Sequence, residues 1–206
     1  QEWDLWELDQ IINRRGIPIN LDIVHNAVRL YDESYAVGFR QMQEVTHLAN
    51  PMSPKQLLPW LQAQGYPFDD LKKGHVRQAR AYFDQKPEHW DEMQWVEYSF
   101  NEEMMTALDL RLELSRSSIT KFHALQRATV PVGNGQSGLL RYTLQFAGAQ
   151  RTARWAGRIF QPQNLPRPEK QFEKEIEIHA ANIATLDRES IELIYPNTFD
   201  VMASCI

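Results

Sequence analysis

Arginines at 151, 154 and 158 place three permanently charged forks within eight residues, donors suited to phosphate oxygens and base edges. They lie in the stretch 148–168, which also carries Gln163, Asn164, a fourth arginine at 167 and no carboxylate. Gln163 and Asn164 add neutral donors and acceptors. Gly148 and Gly157 allow close approach of a bulky partner. Pro162 and Pro166 hold the intervening Gln163-Asn164-Leu165 extended. The stretch reads as a surface for a polyanion, the plainer alternative being a chance cluster of solvated arginines.

Other chemistries find less support. Asp69-Asp70, Glu102-Glu103 and Glu173/Glu175/Glu177 are the nearest acid clusters, each in an ordinary solvated context rather than one that clamps metal ions. The histidines at 25, 47, 75, 89, 123 and 179 form no close pair, which argues against zinc. The single cysteine, Cys205, has no base near it in sequence and reads as buried rather than nucleophilic. Gly133-x-Gly135-x-x-Gly138 precedes a strand, whereas a dinucleotide fingerprint follows one and opens a helix.

The elements that must position the arginines are mostly helical. Residues 2–14 read as an amphipathic helix with Trp3, Trp6, Leu8, Ile11 and Ile12 on its apolar face, broken at 14–20 with Gly16 as C-cap. A long helix over 21–47 follows, with Asn20 as N-cap, Asp22 in its first turn, and Ile23, Ala27, Leu30, Tyr31, Val37 and Met42 as core candidates. Ser53 and Pro54 open a short helix ended by Gly65 and Pro67. Residues 72–110 are helical and acidic, with Trp90, Trp95, Val96, Phe100, Met104, Leu108 and Leu112 as packing positions. A turn at 132–138 leads to a half-buried strand alternating through Leu140, Tyr142, Leu144 and Phe146. A turn, a second strand and an extended segment then carry the arginines. Residues 169–194 read as a helix with Phe172, Ile176, Ala180, Ile183 and Leu186 on one face.

The string Gly148 to Pro168, "GAQRTARWAGRIFQPQNLPRP", resembles the "TGR … QN(L/I)P" element of family A DNA polymerases, the group of bacterial DNA polymerase I. It is most similar to the bacteriophage and prophage forms. One departure is Ala153, where the family has glycine. "LDQIINRRGIPINLDIVHNAV" resembles the start of the family's thumb, and Asn50, Ser53 and Lys55 fit a thumb element near the DNA backbone. "LRLELSRSSITKFHAL" resembles the long thumb helix, whose cations and hydroxyls contact the duplex backbone. Arg116, Ser117, Ser118, Thr120 and Lys121 stand at such positions. "TFDVMASCI" resembles the helix before the first catalytic strand.

The resemblance implies an α+β, mainly helical chain. Residues 1–130 would be the helical thumb, and residues 131–206 the start of the palm with a small antiparallel β element. It implies a template-directed DNA polymerase, a nucleotidyltransferase of DNA replication, of which this portion grips primer–template duplex. Arg154 would enter the minor groove at the primer terminus, where it senses pairing shape rather than sequence. Gln163 and Asn164 would contact template or primer. Thr152 and Arg158 would support the turn or reach phosphates, and Arg151 is a further DNA-binding candidate.

The catalytic aspartates and nucleotide-binding helix would lie beyond Ile206, so the chain is expected to be an inactive fragment. It would bind no cofactor itself, with Mg2+ expected for the full enzyme and dNTP only alongside the rest of palm and fingers. The alternatives are a stand-alone DNA-binding or polymerase-accessory module, and a helical protein-interaction module whose arginines meet an acidic partner.

Composition agrees with a globular protein of one large or two small domains: 206 residues, 43% hydrophobic and 24% charged. No apolar run suits a membrane span, and one cysteine fits a reducing, cytosolic setting, while the resemblance implies a bacterial cytoplasm and a phage- or prophage-encoded protein. The net charge of −5 is segregated. Residues 111–170 hold ten Lys/Arg against two acids (+8), and the remainder holds 12 against 25 (−13). Such a field steers a polyanion to one region. Apolar surface near 140–146 and 201–206 is expected to be exposed, where it would drive homodimerisation.

Overall fold

The structure is a computed structural model describing residues 2–83, 102–116, 120–161, 164–165 and 167–206. Its class is α+β, mainly helical. In chain order the described elements are α1 (Glu2–Arg15), β1 (Ile17–Asn20), α2 (Leu21–Thr46), α3 (Pro54–Ala63), α4 (Lys73–Phe83), α5 (Glu102–Leu114) and α6 (Thr120–Ala128). Then come β2 (Thr129–Val132), β3 (Ser137–Leu140), β4 (Leu144–Gln145), β5 (Ala156–Gly157), α7 (Ile176–Thr185), α8 (Arg188–Ile194) and α9 (Thr198–Ser204). Two compact units result, Gln1–Glu33 with Ser117–Ile206, and Ser34–Arg116. Within the first unit, β1 near the start of the chain pairs with β3, more than a hundred residues on. No helix among the described residues is long and apolar enough to cross a membrane.

In the first unit β3 is the centre of an antiparallel sheet of order β1-β3-β2. Pro18 stands opposite Leu139 and Pro131 opposite Gly138. Proline lacks an amide hydrogen, so each fits only because its nitrogen faces away from β3. The Gly133–Gly138 pattern is the turn between β2 and β3, with Gly133 at φ +61 and Gly135 at φ +86. A side chain at Gly138 would collide with Thr129 Cγ2. The unit's core gathers Leu21, Leu30, Phe122, Leu140, Ile183, Ile191, Val201 and Met202, all at most 2% exposed. Leu140, Val201 and Met202 are therefore interior, and do not form the exposed apolar surface expected of them.

Helix starts follow the sequence closely. Asn20 Oδ1 accepts from the amides of Asp22 (3.0 Å) and Ile23 (3.2 Å), capping α2. Gly16, at φ +73, donates to Ile12 O and ends α1. In the second unit Ser53 occupies the N-cap position of α3 ahead of Pro54, without a side-chain cap bond. Gly65 at φ +97 ends that helix. Met42, Leu57, Leu61, Met104 and Leu108 form the second unit's core.

Several expectations are corrected. α1 buries Asp9 and Asn13, at 4% and 5% exposure, and leaves Trp3 74%, Trp6 45%, Leu8 45% and Ile11 48% exposed. The cause is Asn13, which acts as a strand partner. Its Nδ2 donates to Leu144 O (2.9 Å), its Oδ1 accepts from Leu144 N (3.1 Å), and its own carbonyl accepts from Tyr142 N (3.4 Å). Residues 17–20 form β1 rather than a mere break. Val37 is exposed. The strand expected through 146 stops at Leu140, because Tyr142 turns to φ +58 and breaks the alternation. The long helix expected over 110–125 ends at Leu114, and α6 starts at Thr120. Residues 169–194 divide into a 3-10 turn (Glu173–Glu175), α7 and α8, with Asp187 capping α8 through Ser190 N at 2.8 Å. Trp90, Trp95, Val96 and Phe100 lie outside the described residues.

Candidate nucleic-acid interface

The arginine-rich stretch is a hairpin arm on the first unit. β4 and β5 pair antiparallel, Leu144 opposite Gly157 and Gln145 opposite Ala156. Gly148 lies against β5 so closely that a Cβ would come 2.8 Å from Ala156 Cβ. At the loop, Ala149 O accepts from Thr152 N (3.1 Å) and Ala153 N (2.8 Å), while Ala149 N donates to Arg154 O (3.0 Å). These bonds close a six-residue turn that displays Arg151, Thr152 and Arg154, all exposed. After β5, Arg158 N donates to Thr143 O at 2.6 Å.

Left-handed backbone at non-glycine residues concentrates here. Among the described residues it occurs at His47, and otherwise at Tyr142, Ala147, Ala153, Ile159 and Gln161. For β-branched Ile159, at φ +57, this is a genuine outlier. Strain of this kind gathers at binding and switch segments, held there by the surrounding structure.

What holds the arm is Phe160, 6% exposed, which plants the chain in the core two residues after Arg158. Lys121 adds a tether. Its Nζ donates to Asn164 O at 2.8 Å and stands 5.8 Å from the centre of the Phe160 ring. Burial pulls the Lys121 ammonium below its ordinary value. Asn164 in turn donates from Nδ2 to Gln161 Oε1 (2.9 Å) and from its amide to Gln161 O (2.9 Å). The ammonium expected to meet phosphate is thus bound to the segment it steadies. Sequence reasoning missed Phe160, Thr143 and Asn13. The one signal that could have found them was an aromatic residue inside a run of cations, and it points to Phe160 alone.

Arg151, Arg154, Arg158 and Arg167 are exposed, and among the described residues none has a side-chain hydrogen bond or ion pair. Elsewhere in the unit, Arg188 Nη1 contacts both Glu192 oxygens at 2.6 and 2.7 Å, and Arg29 pairs with Glu33 at 3.6 Å. The arm's charge is left uncompensated, as a site for an external anion requires.

Of the other sequence candidates, Thr120 is the exposed first residue of α6. Asn50, Ser53, Lys55 and Arg116 belong to the second unit. There Asn50 Oδ1 accepts from Met52 N (3.2 Å), and Arg111 Nη1 donates to Met52 O (3.1 Å), which fixes the loop before α3. Lys55 is exposed in the first turn of that helix. Gln163, Ser117 and Ser118 lie outside the described residues.

Among the described residues no group of three or more His, Cys, Asp or Glu is placed to hold a metal ion. Burial pushes the Cys205 thiol up to about 11.

The chain is 35% identical over 167 residues, 81% of its length, to a protein named DNA polymerase from Bacillus phage SP02. It spans about a fifth of that relative's length, 22%. No family model matches the chain, and no solved structure matches it.

Proposed function

We propose that this chain is part of a template-directed DNA polymerase of the family A type, and that it grips primer–template duplex without itself carrying out synthesis. One observation carries the reading: Arg151, Arg154 and Arg158, exposed and without side-chain partners among the described residues, stand along one strained and anchored arm. The similarity to a phage protein named DNA polymerase supports it. Arg154 meets the minor groove near the primer terminus, and Arg151 and Arg158 meet phosphates. Asn164 and Gln163 lie along the template or primer strand. Residues 1–130 correspond to thumb and 131–206 to the first part of palm, with Mg2+ and dNTP belonging to the complete enzyme.

The test is binding of a labelled primer–template duplex across a salt series, for the chain and for Arg154→Ala. Salt-sensitive binding weakened by the substitution supports the reading. A folded sample that ignores duplex at low salt overturns it. Primer extension by the chain alone overturns the statement that it does not synthesise.

A second reading draws on α1. Its exposed Trp3, Trp6, Leu8 and Ile11 suit contact with another polypeptide, as in a protein-interaction module. Competition separates the two: a polypeptide held by α1 stays bound when duplex DNA is added, whereas one held by the arginines is displaced.

A further inference from the structure

We infer that Ala153 is a positioning residue that controls how Arg154 is presented, through a backbone conformation that alanine adopts only under strain. The inference deepens the duplex-holding reading and rests on it. Ala153 sits at φ +51, in the left-handed region where Cβ crowds the following carbonyl. Its amide donates to Ala149 O, and the carbonyl of the next residue, Arg154, accepts from Ala149 N. The chain therefore reverses at Ala153, and the dihedrals there set the direction in which Arg154 leaves the loop.

No side-chain interaction among the described residues fixes that direction instead. Arg154 and Thr152 are exposed, and neither has a side-chain partner among those residues. Ala153 is itself exposed, so removing its methyl empties no buried space. The loop bonds compete with conformers that relieve the strain. The fraction of molecules presenting Arg154 correctly is below one, and the apparent affinity for duplex falls in proportion. Glycine removes the crowding. A β-branched residue makes it worse.

The experiment measures duplex affinity and the denaturant midpoint for Ala153→Gly and Ala153→Val in the full 206-residue chain, each with and without Arg154→Ala. Ala153→Gly is expected to raise the midpoint and tighten duplex binding about three- to tenfold. Beside Arg154→Ala the tightening should shrink below about twofold, the coupling a double-mutant cycle isolates. Ala153→Val is expected to weaken binding about tenfold, with its fold checked by circular dichroism. A raised midpoint with equal tightening in both backgrounds would show that strain affects stability alone, overturning the positioning role. An unchanged midpoint would overturn the strain. If the unsubstituted chain binds no duplex, the underlying reading fails first, and that outcome is visible before any variant is made.

Discussion

Arg151 and Arg158 differ from Lys121 in a way that binding measurements expose. The two arginines are unpaired and exposed, so replacing either by alanine should lower the log–log salt slope by about 0.9 for each phosphate left un-neutralised. Lys121 is bonded to Asn164 O. If this tether is its whole role, replacing Lys121 by alanine should weaken duplex binding while leaving the slope within about 0.3 of the original. A slope that falls by a full unit with Lys121→Ala would show that it meets a phosphate after all. Cys205 offers a separate check. With its thiol pushed up to about 11 by burial, alkylation at pH 7 should run about a hundredfold slower in the folded chain than in denaturant. The arginines were legible in the sequence because charge and exposure go together. The Lys121 tether was not, since it joins residues 43 apart and no local rule pairs an ammonium with a distant carbonyl.

At the scale of elements, legibility tracks how local the determining physics is. Caps and breakers act over three or four residues, so Asn20, Gly16 and Pro54 placed the ends of α1, α2 and α3. Replacing Asn20 by alanine should lower stability by about 1 kcal/mol, read as a shift in urea midpoint with unchanged m-value. Apolar periodicity identified α1 as a helix but misjudged its orientation. Asn13 completes hydrogen bonds for Leu144 and so turns the polar line of the helix inward. Asn13→Ala leaves both Leu144 groups unpaired in a half-buried setting and should cost roughly 2–3 kcal/mol. A drop below about 0.5 kcal/mol would show that water replaces the side chain there. The strand through 146 failed for a different reason. A tyrosine at φ +58 has no residue-type signal, unlike the glycines of the β2–β3 turn.

At the scale of the whole molecule, one pH response originates in the second unit, at Asp70. Asp70 Oδ2 lies 2.6 Å from Lys72 Nζ, and its Oδ1 lies 2.6 Å from His75 Nδ1 and 3.0 Å from Lys72 N. The Lys72 ammonium foremost, then the Lys72 amide and His75, hold this carboxyl down to about 2. A depressed carboxyl stabilises the folded form above its unfolded value near 3.8, and that contribution is lost as pH falls toward about 2. The thermal midpoints of the chain and of Asp70→Asn should therefore differ at pH 5 and converge near pH 2. A gap that persists at pH 2 would assign the effect to shape rather than charge.

The prolines of β1 and β2 bear on how this chain behaves when crowded with copies of itself. Both outer strands of the sheet carry one, at positions 18 and 131, so each rim lacks an amide where an incoming strand would need it. Stacking into cross-β fibrils from this sheet is blocked on both sides. Pro18→Val together with Pro131→Val should restore two bonding rims flanked by Ile17, Ile19, Val130 and Val132. On prolonged incubation that variant should raise thioflavin fluorescence where the unsubstituted chain stays flat.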